Sequence, residues 1–202
     1  MQEKFIFYYS AMKGGKTTRI FQKIHDLEEN GQSVIVIKPA TDTKGEKQII
    51  NRKKEKRPVD ILLDKKDSLF SEKYIKKIWY CNHILVDEAQ FLEPSQVEDL
   101  WEINKKTKIP VTCFGLKSNF KGELFPGSNR LLALADEIIE LDSNSLCICG
   151  APAKFNARKV NGTFTMEGDE IEIDGKHKEV EYVPLCGSCF FKEVYSKGRR
   201  KE

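Results

Sequence analysis

The sequence predicts an α/β fold, a parallel sheet flanked by helices, followed by a small β-rich module, and three observations carry that expectation. From Phe5 to about Leu141, short apolar runs alternate with helix-length amphipathic stretches, the pattern of strands connected by crossover helices. The first run empties into a Gly-rich stretch ending Gly15-Lys16-Thr17, where a strand hands over to a helix. After Leu141 the alternation stops, and two close cysteine pairs bracket strand-like pieces separated by Gly162, Gly168 and Gly175.

In order, the expected strands are Phe5–Tyr9, Ser33–Ile37, His83–Asp87, Val111–Leu116 and Glu137–Leu141, each rich in β-branched or aromatic residues. Helices belong between them: one over Lys16–Glu29, stopped by Asn30-Gly31, and one with Pro94 in its first turn, running to about Lys106. Lys38 to Lys66 is polar, basic and weakly periodic, and reads as irregular structure. In the module the strands are Thr163–Met166 and Val180–Val183. The implied organisation is an α/β domain over residues 1–142, a small module over 143–195 and a frayed charged tail over 196–202.

Composition narrows the classes. A chain of 202 residues accommodates one substantial domain with a small appendage. With 40% hydrophobic and 32% charged residues and no apolar run of the ~18 residues a membrane span needs, the expectation is a globular cytoplasmic protein without membrane or export signals. A net charge of +3 from 34 basic and 31 acidic residues is too balanced for a nucleic-acid binder, and the basic run from Lys44 to Arg57 reads as a solvated loop.

Ser10-Ala11-Met12-Lys13-Gly14-Gly15-Lys16-Thr17 matches the phosphate-loop pattern with serine in place of its first glycine. Backbone N–H groups and a helix N-terminus would converge on the phosphates of ATP, Lys16 would neutralise β/γ oxygens and Thr17 would ligate Mg²⁺. Ile84-Leu85-Val86-Asp87-Glu88 is a second apolar strand ending in two acids, at the sheet edge that would face that loop. Asp87 would assist Mg²⁺, and Glu88 would accept the proton of an attacking hydroxyl.

Tyr8-Tyr9-Ser10-Ala11-Met12 ahead of Gly15-Lys16-Thr17, with Asp87-Glu88-Ala89-Gln90-Phe91, resembles the zinc-containing thymidine kinases, and the similarity spans nearly the whole chain. The resemblance implies a P-loop NTPase-like fold that moves the γ-phosphate of ATP to the 5′-hydroxyl of thymidine. It makes Glu88 the catalytic base, adds Gln90 to the ATP-binding set and places Phe91 beside the nucleoside. Gly115 to Phe125 resembles the thymine-pocket segment, with Leu116, Phe120 and Phe125 as the matching residues. Asp42 falls in an Asp-x-Arg element that here reads Asp42-Thr43-Lys44, and lysine lacks the two-pronged contact of arginine. Ile173, Asp174, Gly175 and Tyr182 resemble the family's lasso over the nucleoside, and Asn156 falls near a further pocket position. The same resemblance implies a homotetramer inhibited by thymidine triphosphate (dTTP).

Cys147-x-Cys149 and Cys186-x-x-Cys189 supply four soft ligands, enough for a closed, structural Zn²⁺ site. Cys81 and Cys113 lie in or beside apolar elements and read as packing residues. His25, His83 and His177 have no ligand spacing with the cysteines and read as non-catalytic. Two other functions share some of these features. A nucleic-acid-stimulated motor ATPase also carries Asp-Glu after a strand, but a second set of nucleotide-sensing motifs is not evident here; a non-catalytic nucleotide sensor would keep the phosphate loop and need no Glu88.

Overall fold

The strand Phe5–Tyr9 (β1) buries Phe5 and Phe7 on one face and packs Tyr8 on the other, as an inner strand of a two-sided parallel sheet must. A computed structural model describes residues 3–40, 47–141, 145–168 and 179–198. After β1 the chain runs through α1 (Lys16–Glu29), β2 (Val34–Pro39), β3 (Gln48–Ile50), β4 (Lys56–Pro58), β5 (Ile61–Leu63) and α2 (Glu72–Trp79). It continues through β6 (His83–Val86), α3 (Pro94–Thr107), β7 (Val111–Gly115), α4 (Pro126–Leu134) and β8 (Glu137–Glu140). The main sheet has the order β5-β2-β6-β7-β1-β8, and its pairings are all parallel.

Parallel strands place their carboxyl ends on one edge, so the turns leaving β1, β6 and β7 meet there. Phe5, Phe7, Ile84, Val86 and Cys113 face one layer, formed with α2, α3 and α4 residues such as Ile78, Leu100 and Leu131. Val34, Val36, Leu85 and Phe114 face the other, against Ile20 and Ile24 of α1. Each fully buried aliphatic or aromatic side chain contributes about 1.5–3 kcal/mol, so this two-faced burial fixes the sheet that carries the site. Glu93 and Gln96 form a reciprocal capping box at the start of α3, ahead of Pro94 at its first turn.

Phe155–Val160 (β9), Thr163–Thr165 (β10) and Val180–Leu185 (β11) form a separate antiparallel sheet of order β10-β9-β11. It is backed by Gly187–Phe190 (α5), a wide π-type turn over Phe191–Tyr195 and Ser196–Gly198 (α6). Its own core is small: Cys147, Ala157, Val183, Leu185, Phe190 and Val194. No helix among the described residues is long and apolar enough to cross a membrane.

The strands expected from periodicity are present to within two residues at each end, as are the helices over Lys16–Glu29 and from Pro94. The described residues between Lys38 and Lys66 are more ordered than expected. They contain the hairpin β3–β4 and the edge strand β5, three residues each, anchored by the buried Ile49, Ile61 and Leu63. Strands this short, set among lysines and arginines, leave no periodic signal. Ser196–Gly198 continues the helical segment, and the rest of the tail lies outside the described residues. Cys81 and Cys113 are buried, as their neighbours suggested.

Candidate functional site: a phosphate loop facing two acids

Gly15 caps α1 in the left-handed region at φ 88°, with no side chain satisfying the helix's first N–H groups and no acid in its first turn. A helix start left uncapped and without negative charge favours an anion. Lys16 is buried, with Nζ 3.4 Å from both Ser10 Oγ and the Ala11 carbonyl. Burial pulls its ammonium below the usual lysine range, and the charges of Glu88 and Asp87 oppose that shift. The serine at position 10 is accommodated because position 14 has no side chain: a Cβ on Gly14 would lie 2.3 Å from Ser10 Oγ.

Asp87 follows β6 and is buried, its N–H donating to the Ile37 carbonyl at 2.9 Å and its Oδ1 accepting from the Glu88 N–H at 3.0 Å. Burial first, then the Glu88 charge, push the Asp87 carboxyl up to about 7. Glu88 turns the chain at φ 51°, a left-handed conformation uncommon for a residue with a side chain. Its Oε2 accepts from Gln90 Nε2 at 2.6 Å, while Gln90 Oε1 accepts from the Leu116 N–H at 3.0 Å. Gln90 therefore spans the turns leaving β6 and β7, and orients the Glu88 carboxylate.

A cavity of about 500 Å³ lies over this edge, lined by Met12 to Thr18 on one side, Glu88 and Leu116 on the floor, Ile50, Asn51 and Arg52 from the β3–β4 hairpin, and Val180, Glu181 and Tyr182 of β11. It thus brings Met12, Lys13, Gly14, Gly15, Lys16, Thr17, Glu88, Leu116 and Tyr182 together. Ser10, Ala11, Asp87 and Gln90 stand behind that lining. Phe91 and Phe125 pack edge to face with ring centroids 5.6 Å apart, and Phe120 lies under the Arg158 guanidinium at 3.8 Å, away from the cavity wall. Asp42, Ile173, Asp174, Gly175 and His177 lie outside the described residues. His83 Nε2 is 3.1 Å from Thr112 Oγ1, and burial lowers its pKa to about 4, leaving it neutral. His25 sits on an exposed helix face beside Glu29.

Two further contributors meet the loop from distant segments: Arg52, which gave no local signal, and Asn156, which the resemblance set near a pocket position. Arg52, in the basic run, reaches the Lys13 carbonyl with its guanidinium. Asn156, on β9, accepts from the Met12 N–H at 2.7 Å, so its side chain meets the phosphate loop.

Cys147, Cys149, Cys186 and Cys189 place their Sγ atoms within 4.8 Å of one another. The Cys149–Cys186 separation of 3.7 Å matches the edge of a tetrahedral thiolate cage, about 3.8 Å for Zn–S bonds of about 2.3 Å. The donor set and spacing fit Zn²⁺ with no open position, a structural clip joining the start of the module to its C-terminal helix.

A sequence profile described as thymidine kinase matches residues 3–190. The thymidine kinase of Legionella pneumophila (strain Paris) is 37% identical over 186 residues, covering 91% of this chain and 87% of the relative. The thymidine kinase of Enterobacteria phage T4 is 38% identical over 183 residues, covering 90% and 92%. That of Zymomonas mobilis is 34% identical over 197 residues, covering 96% and 98%. With its phosphate loop, acidic strand end and four-cysteine cluster in one molecule, and with this likeness over nearly its full length, the chain belongs to the thymidine kinase family.

Proposed function

We propose that this chain transfers the γ-phosphate of ATP to the 5′-hydroxyl of thymidine, giving thymidine monophosphate and ADP, a salvage step for DNA synthesis. The observation that carries the reading is the shared cavity: the phosphate loop, Lys16, Glu88 and Tyr182 all line it. In this scheme the loop amides and Lys16 hold the β- and γ-phosphates. Thr17 and Asp87 hold the Mg²⁺ that arrives with ATP, which supplies charge neutralisation. Glu88 takes the proton from the 5′-hydroxyl as its oxygen bonds to the γ-phosphorus, and the bond to the ADP oxygen breaks. Gln90 fixes which way that carboxylate faces. Arg52 brings a second cation to the loop. Leu116 gives the base an apolar wall, and Phe91, Phe120, Phe125, Ile173, Asp174 and Gly175 are assigned to the substrate on the family resemblance.

Deoxyuridine, which lacks only the thymine methyl, is the second acceptor to assay. Feedback inhibition by dTTP, a homotetramer and a cytoplasmic location complete the proposal. ADP formation is measured with thymidine, with single-stranded DNA, or with neither. Stimulation by thymidine alone supports the kinase, whereas stimulation by DNA alone replaces it with a motor.

A further inference from the structure

The phosphate loop is held from outside by the cysteine module, through one residue. Met12 donates its N–H to Asn156 Oδ1 at 2.7 Å and accepts from Ser145 Oγ at 2.7 Å. Both partners are buried, and both belong to the module. Ser145 stands two residues before Cys147, and its carbonyl accepts from the Ala153 N–H at 3.0 Å, which closes the knuckle around the first cysteine pair. Asn156 sits on β9, paired with Pro184 of β11. The next residue of the loop, Lys13, adopts φ 62°, a left-handed conformation that disfavours a side chain. Strained turns of this kind persist only where surrounding contacts over-determine them. A planar peptide joins Met12 to Lys13, so fixing the Met12 carbonyl on Ser145 also fixes the direction of the Lys13 N–H. Successive N–H groups around left-handed residues form the anion-binding concavity.

We propose that Ser145 and Asn156 are positioning residues that hold the Met12–Lys13 turn in its nucleotide-binding shape, so that the affinity of the phosphate loop for nucleotide is set from the cysteine module. The proposal rests on reading Ser10–Thr17 as the nucleotide site. Neither side chain needs to touch ATP.

Equilibrium binding of Mg·ADP to the full chain, measured by calorimetry without thymidine, tests it. Loss of one such hydrogen bond corresponds to about a five-fold affinity loss, so Asn156→Ala and Ser145→Ala are each expected to bind Mg·ADP about five-fold more weakly. Ser145→Thr keeps the hydroxyl and is expected to bind like the wild type. Placing Lys13→Asn in the Asn156→Ala chain, where asparagine tolerates the left-handed turn, is expected to recover part of the loss. In Ser145→Ala the KM for thymidine is expected to stay within about two-fold, because that contact is with the phosphate loop. Unchanged Mg·ADP affinity in both alanine variants overturns the proposal. So does an equal loss of ADP and thymidine affinity in Ser145→Ala, which would mark general loosening of the module; should Asn156→Ala fail to fold, the Ser145 pair decides alone. Wild-type chain that binds Mg·ADP but does not phosphorylate thymidine would sink the kinase reading and leave the tether standing.

Discussion

In the proposed reaction the chemistry turns on Glu88, and its backbone shows what holds it. A left-handed conformation at a residue with a side chain costs on the order of 1 kcal/mol, and here the Gln90 bridge to the Leu116 amide accompanies it. Glu88→Gln keeps the shape and removes the base, so kcat is expected to fall about 10²- to 10⁴-fold with Mg·ATP affinity nearly intact; full turnover in the folded variant would remove Glu88 from the base role. Asp87 yields a pH prediction. Its carboxyl is raised by burial, then by Glu88, to about 7 in the folded chain, so between about 4 and 7 the folded state holds a proton that the unfolded state has released. That contribution to stability is present at low pH and is lost as pH rises to about 7. Without magnesium or nucleotide, the melting temperature of Asp87→Asn minus that of wild type is expected to grow across this window, and a flat difference would contradict the buried-carboxyl account. Both acids were legible in the sequence because they close one apolar strand. Arg52 was not legible, nor were the contacts that Gln90 and Asn156 make, since each acts by meeting a segment far away in sequence.

At the scale of elements, legibility followed length and burial. Strands buried on both faces read as apolar runs, and α1 was framed by Gly15 and Asn30-Gly31. The β3–β4 hairpin was hidden because only Ile49 points into the core while its basic neighbours face outward, yet this hairpin carries Arg52 to the site. The turn from β1 into α1 is closely packed at Gly14, and it shows why a phosphate loop can begin with serine. Ser10 Oγ fills the space that a side chain at position 14 would need, and the Ala11 carbonyl lies 2.9 Å from the same point. Gly14→Ala is therefore expected to weaken Mg·ADP binding at least about ten-fold, since overpacking of this kind costs about 1–3 kcal/mol. Adding Ser10→Gly is expected to restore part of the affinity, while the clash with the carbonyl remains. Equal binding by Gly14→Ala and wild type in calorimetry would show that the loop is looser than its packing indicates.

Across the whole molecule, two cores of unequal size meet at one cavity. The main sheet buries an apolar layer on each face, whereas the module's apolar core cluster has six buried residues among those described, on a three-stranded sheet. A core that small rarely holds itself together and ordinarily depends on a metal or a disulfide. The six cysteines are free thiols, and four of them converge with the spacing of a tetrahedral thiolate site. Metal binding is therefore expected to account for most of the module's folding free energy, while the main sheet stands without it. On chelation, amides of β9 and β11 are expected to lose hydrogen-exchange protection while those of β1, β6 and β7 keep theirs, and Cys147→Ser is expected to reproduce this with less than stoichiometric zinc by elemental analysis. Uniform loss of protection would mean that the two cores fold as one unit; unchanged protection, with zinc still bound by Cys147→Ser, would remove the metal clip. Because β9 carries Asn156 and β11 carries Tyr182, selective melting of the module would dismantle one wall of the cavity and the outer support of the phosphate loop together, without touching Glu88 or the strand that presents it.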